Sequence, residues 1–137
     1  MTVSPPVTGR EAVRRNMTVL VLSIAVTVIV LRMSLHASPD SDFDVAGYNI
    51  HHLFTGLLLI TIGGIPLAIF QRPTRALIVA RVVFGVGLGM ALDEWVYLIA
   101  TDGSNASYLL PVSLWGAVVV VGLACVYAVT LGLFARE

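Results

Sequence analysis

The sequence predicts an all-α integral membrane protein, a four-helix bundle of up-down-up-down order with both termini cytoplasmic. Three observations predict it. Hydrophobic residues make up 58% of the chain and charged residues 12%, about half the roughly 25% charge share of a soluble domain. Four apolar runs approach the roughly 20 residues that a helix needs to cross a bilayer. The arginines gather on one side of those runs: Arg10, Arg14, Arg15, Arg72, Arg75, Arg81 and Arg136 share it, and Arg32 alone falls toward the other. Excess basic residues mark the cytoplasmic side.

Taken in order, residues 1–16 hold Pro5, Pro6 and three arginines and read as a flexible cytoplasmic tail. The membrane domain then covers 17–137, with helices expected at about 17–35, 48–70, 75–100 and 108–134. A basic stretch before an apolar core also describes a signal peptide. This run is long for that, and Leu35-His36-Ala37 is a poor cleavage site, so a retained first helix is expected. Pro39 and acidic residues end that helix. Asp40-Ser41-Asp42-Phe43-Asp44 imitates half of a calcium loop but lacks the following Gly and the distal Glu, so a solvated acidic link is expected.

The second run carries Pro66, which should kink or loosen its far end. Gln71–Arg75 makes a basic turn before the third run. Thr101–Ser107 is a polar turn, and Pro111 suits the first turn of the last helix. Tyr48, Tyr97, Tyr108 and Trp95 or Trp115 fall where an outer aromatic belt would lie. Cys125 is the single cysteine, so no intrachain disulfide forms, and a packing role is expected for it. Zero formal net charge and the absence of a basic cluster speak against nucleic acid as a partner. The lipid bilayer is the expected environment, a bacterial cytoplasmic membrane, with a homo-oligomer or a larger membrane complex as further partners.

The chemistry centres on Asp93 and Glu94, set inside the third apolar run. A carboxylate at mid-membrane depth costs about 2.5–3.5 kcal/mol on insertion scales, so polar company is expected. His51 and His52 open the neighbouring run. His52, Gly56, Ile60 and Gly64 recur every four residues, as do Gly85, Gly89, Asp93 and Tyr97. Residues four apart share a helix face, and small residues on such a stripe let membrane helices approach closely. Matching the two stripes antiparallel sets Gly56 opposite Gly89 and His52 opposite Asp93. Glu94 lies about 100° round from Asp93, so at most one of the pair faces that seam. The glycines at 85, 87 and 89 superficially resemble a nucleotide loop, but Met90 replaces the third glycine and packing is the expected role.

Imidazoles and carboxylates at one depth have three uses. They bind a divalent metal such as zinc, iron or manganese through His51, His52, Asp93 and Glu94, relay protons, or clasp the bundle together. Arg32 either snorkels to the headgroups or pairs with Asp93, Glu94 or the acidic link. With His36, Asn49, Thr55 and Tyr97 it forms the expected substrate-facing set. The leading functional expectation is a metal-dependent membrane-embedded enzyme acting on a lipid or lipid-linked headgroup, with Asp93, Glu94, His51 and His52 as catalytic groups. The alternatives are a metal-ion or proton binding or transport module, and a non-catalytic accessory subunit. No Walker loop, GxSxG, CxxC or HExxH is present.

Overall fold

A computed structural model describes residues 9–37, 44–45, 48–49, 51–71 and 74–135 of the protein. Four helices in it are long and apolar enough to cross a membrane: α1 (Gly9–Ala37), α2 (His52–Ile69), α3 (Arg75–Ala100) and α5 (Pro111–Phe134). One short helix, α4 (Asn105–Tyr108), precedes α5. A two-residue antiparallel pair, β1 (Asp44–Val45) with β2 (Tyr48–Asn49), sets Asp44 opposite Asn49 and Val45 opposite Tyr48. Residues 40–43 of the calcium-like stretch 40–44 and the termini 1–8 and 136–137 lie outside the described residues.

Three boundaries differ from the sequence expectation, each for a local reason. Helix α1 starts at Gly9, so residues 9–16 are helical rather than loose. Both prolines of that region precede Gly9, and Arg, Glu and Ala are good helix formers. Glu11 in the first turn also suits the positive end of the helix. Helix α2 starts at His52, after the β1–β2 pair has taken Tyr48 and Asn49. The last expected helix is broken. Leu110 is extended at φ −65°, ψ 148°, and α5 begins at Pro111. Proline clashes with a helical conformation in the residue before it, so Tyr108 ends α4 instead of starting the span. Pro66 is carried inside α2, which ends three residues later with the Phe70 N–H bonded to the Pro66 carbonyl at 3.0 Å.

Helix α3 is the spine. It packs against α1, α2 and α5, whereas α2 rests on α3 almost alone. Some 39% of its apolar window is buried inside the protein, against 6–11% for the other spans. The outward faces of α1, α2 and α5 carry large exposed aliphatic side chains, including Leu58, Val119 and Leu131, as a lipid-facing surface should.

Glycine sets the helix spacing, but along two edges of α3 rather than one. Gly85 and Gly89 face α1: a Cβ on Gly85 would lie 2.6 Å from the Ser23 Cβ, and one on Gly89 2.9 Å from the Ile24 carbonyl. The stripe expected to meet α2 therefore meets α1. The edge that meets α2 carries Gly87, whose carbonyl lies 2.7 Å from a Cβ built on Gly56. Gly56 also touches Ala91, and Gly63 touches Ala80 and Phe84, so contacts along α2 and α3 run in opposite sequence order. The expected depth of Gly56 holds, since it nests between Gly87 and Ala91, but the face of α3 does not. Residues 85 and 87 are about 200° apart on a helix, and a four-residue spacing does not say which edge meets which neighbour.

The Gly63→Val variant, whose Cβ would meet the Ala80 carbonyl at 2.5 Å, should lose about 1–3 kcal/mol of stability. Gly122, with nothing within 4 Å of its Cβ position, should accept alanine without loss. Unfolding in mixed detergent micelles, followed by circular dichroism, compares the two.

Candidate functional site

Asp93 and Glu94 are both buried, at 0% and 3% exposure. Being adjacent on α3, they point into different seams, and each builds its own polar group.

Asp93 faces α1 and α5. The Arg32 Nε donates to its Oδ1 at 2.8 Å, and the Tyr108 hydroxyl donates to its Oδ2. Arg32 spends its remaining donors on backbone and hydroxyl oxygens. Nη1 reaches the Tyr108 carbonyl at 3.1 Å. Nη2 reaches the Asp93 carbonyl at 3.3 Å, the Ser113 carbonyl at 3.3 Å and the Ser113 Oγ at 3.2 Å. The guanidinium carbon also sits 4.1 Å from the centroid of the Tyr108 ring, within cation–π range.

The chain break before Pro111 makes this arrangement available. In an unbroken helix the Tyr108 carbonyl would be bonded four residues on. With α4 ending there, it is an orphan acceptor, and Arg32 takes it.

Glu94 faces α2. Its Oε2 accepts the Leu53 N–H at 2.7 Å. That N–H belongs to the first turn of α2, whose N-cap residue, His51, makes no side-chain capping bond. Glu94 thus caps α2 from another helix, placing a negative charge at the positive end of the α2 dipole. Its Oε1 lies 3.3 Å from the His52 Nδ1, a hydrogen bond when that nitrogen carries the proton. It also lies 3.8 Å from the His51 Nδ1, an ion pair only when that ring is charged. The two imidazoles are 24% and 28% exposed.

Tyr97 and Tyr108 join the two groups. Their rings meet edge to face at 5.2 Å, and His51 lies 6.0 Å from Tyr97. The Tyr97 hydroxyl donates to the Ser104 carbonyl at 3.1 Å. The loop below is held by Asp102, whose Oδ1 accepts from the Ser104 N–H and hydroxyl at 3.1 and 2.8 Å. Those bonds, the backbone N–H first, hold its carboxyl below the usual range. Gly103, at φ +75°, takes the left-handed turn that favours glycine.

Several expected site residues are therefore placed differently. His52 pairs with Glu94, not with Asp93, because Asp93 shares the α1-facing edge of Gly85 and Gly89. Of the two roles open to Arg32, pairing with Asp93 is the one observed. Tyr97 is buried, at 1% exposure, and Tyr108 at 3%, so these two lie inside the bundle and not in an aromatic belt. Trp95 and Trp115 are exposed. Thr55 and His36 are exposed on their helices. Asn49 is placed through its backbone in β2, and its side chain is outside the described set. Ser113, which sequence alone does not single out, and Tyr108, expected in an aromatic belt, both belong to the Arg32 network. The pointer to both was Pro111, which breaks the helix beside them.

Among the described residues, no group of three or more His, Cys, Asp or Glu side chains is arranged to hold a metal ion. No buried side-chain nitrogen or oxygen among them lacks a partner.

These features define a small multi-pass membrane protein whose spans are joined by an internal charged network. Comparison with known proteins finds no matching family model and no similar characterised protein or solved structure.

Removing one partner of a buried pair strands the other charge, at about 3–5 kcal/mol. Arg32→Met should lose that much stability, and the double variant Arg32→Met/Asp93→Leu should regain most of it. Denaturant titrations of the two variants and the parent close the comparison.

Burial, reinforced by the Asp93 charge, raises the Tyr108 phenol above its usual range. The folded state then holds this proton more tightly than the unfolded chain. The stability it contributes is complete below about pH 10 and declines as the pH rises further. The tyrosinate absorbance of the parent minus that of Tyr108→Phe should stay near zero at pH 11 in the folded protein and appear on denaturation.

Proposed function

We propose that this chain is a membrane-embedded binding module, non-catalytic on its own. Its Arg32–Asp93 network serves as a clasp, and its His51–His52–Glu94 group takes up a proton or small cation at the membrane surface. The observation that carries this reading is saturation. Both oxygens of Asp93 are occupied by Arg32 and Tyr108, and both of Glu94 have partners on α2. A hydrolytic mechanism at this cluster needs a carboxylate free to act as base, and neither oxygen pair offers one. The two partly exposed imidazoles remain for exchange with the outside.

The module is read as an up-down-up-down bundle with cytoplasmic termini. Arg10, Arg14, Arg15, Arg75 and Arg81 lie at the end away from the cluster, which supports an outward-facing position for His51 and His52. Such a unit suits an accessory subunit of a larger membrane complex or a homo-oligomer.

One feature favours a second reading, divalent metal at the imidazoles. Both Nδ1 atoms turn toward Glu94, which leaves both Nε2 atoms directed away from the carboxylate. A carboxylate behind a ligating histidine is the usual orienting partner in metal sites. Zinc, iron or manganese would then take the two Nε2 atoms, with Glu94 orienting and not ligating. The lipid-headgroup enzyme would depend on such an ion.

Elemental analysis of the purified full-length protein separates the two. The module reading expects no stoichiometric metal, and proton uptake on acidification that falls in His51→Ala/His52→Ala. One equivalent of metal, lost in that variant, replaces this reading with the second.

A further inference from the structure

The arginine-bearing end of the bundle holds a cavity of about 540 Å³ between the start of α1, the end of α2 and the start of α3. Arg15, Arg75 and Arg81 line it, with Asn16, Gln71 and Thr74. The ion pairs found among the described residues belong to Arg32 and the two histidines. Arg81 makes one long bond, from Nη1 to the Leu77 carbonyl at 3.4 Å, and feels the like charge of Arg15. The positive end of α3 opens on the same space, with Thr74 as its N-cap. Three cations around a cavity repel one another until an anion joins them.

A second, apolar groove of about 620 Å³ begins at the same place. Arg81 and Asn16 line both spaces, and from Arg81 the groove follows Leu88 and Leu92 of α3 between Leu20 of α1 and Ala124 and Ala128 of α5. From 81 to 92 is about 16 Å of helix at 1.5 Å per residue. That is about the hydrocarbon depth of one leaflet, half of roughly 30 Å.

We propose that these two spaces together bind one anionic phospholipid. Its phosphate sits among Arg15, Arg75 and Arg81, and one acyl chain lies in the groove along α3. Guanidinium forks suit phosphate oxygens, and basic pockets between spans are apt sites for anionic headgroups. Continuity of the groove with the basic cavity favours a lipid over free phosphate, because free phosphate has no use for the apolar part. The polar cluster around Asp93 and Glu94 takes no part, so this site stands whichever reading of that cluster holds.

Native mass spectrometry of the full-length protein from neutral detergent tests the assignment. The probes are phosphatidylglycerol and phosphatidylcholine of equal chain length, and inorganic phosphate. The expected result is one saturable phosphatidylglycerol per chain, bound at least tenfold more tightly than phosphatidylcholine. Arg15→Gln and Arg81→Gln should each weaken it by about fivefold, the usual worth of one basic residue near anionic lipid. Arg10→Gln, outside the cavity, should leave it unchanged. Leu88→Trp, which fills the groove, should weaken lipid binding with the arginines intact. Circular dichroism verifies that each variant is folded. Equal binding of the two lipids, or indifference to both arginine variants, overturns the proposal. Inorganic phosphate binding as tightly as the lipid assigns the cavity to the free anion and overturns the lipid. A dimer whose formation excludes lipid assigns the groove to a second copy and overturns it as well.

Discussion

The guanidinium of Arg32 is a permanent charge on a membrane-spanning helix, and the inner arrangement of the protein follows from satisfying it. Buried away from water, such a charge is costly unless it is paired and hydrogen-bonded. Its charge cannot be removed by titration, so partners must be brought to it. They come from three elements: the Asp93 carboxylate and carbonyl from α3, the Tyr108 carbonyl from α4, and the Ser113 carbonyl and hydroxyl from α5. Each contact constrains the helix that provides it. Asp93 fixes the rotation of α3, and the Tyr108 and Ser113 contacts tie to α1 the break that Pro111 makes before α5.

In lipid, helices gain little by hiding apolar side chains from one another, and close backbone packing with hydrogen bonds must hold them. Both devices are concentrated on α3. Its glycine edges let α1 and α2 approach nearly to backbone contact, and the acids that follow those edges then tie each neighbour at its end. Asp93 continues the Gly85–Gly89 edge and binds Arg32 of α1. Glu94 continues the Gly87–Ala91 edge and caps α2. Two adjacent acids are therefore two separate fastenings, one for each neighbour, and their proximity in sequence is what lets one helix serve both seams.

The spans were legible in the sequence because bilayer thickness imposes a length and a composition that few other structures share. The pairing of Arg32 with Asp93 was legible as an option, since an intramembrane charge calls for its opposite. Less legible was which face met which neighbour. Spacings of four define stripes on α3, but Gly85–Gly89 and Gly87–Ala91 are equally good stripes, and His52 belongs with the second, which leads to Glu94. Least legible were the backbone partners. The Leu53 N–H that holds Glu94 has no side-chain signature, and the Tyr108 carbonyl became an acceptor only because Pro111 broke the helix behind it. The part that Tyr108 and Ser113 play in the network depends on that break, which no spacing of polar residues signals.

Saturation separates the charges that build this protein from those available to a ligand. Arg32, Asp93 and Glu94 are surrounded by complementary groups from their own chain, and drawing any of them toward a ligand would strand a partner in low dielectric. Arg15, Arg75 and Arg81 stand in the opposite condition. Among the described residues lining their cavity the charges are all of one sign, and a helix end of that sign opens into it. Folding alone gives no reason to gather like charges, since each pair of them opposes compaction. An anion from outside the chain would offset that repulsion. In a bilayer the anion present in excess at that depth is the lipid phosphate, and the apolar groove leading away from Arg81 has the direction and length that its acyl chain would need.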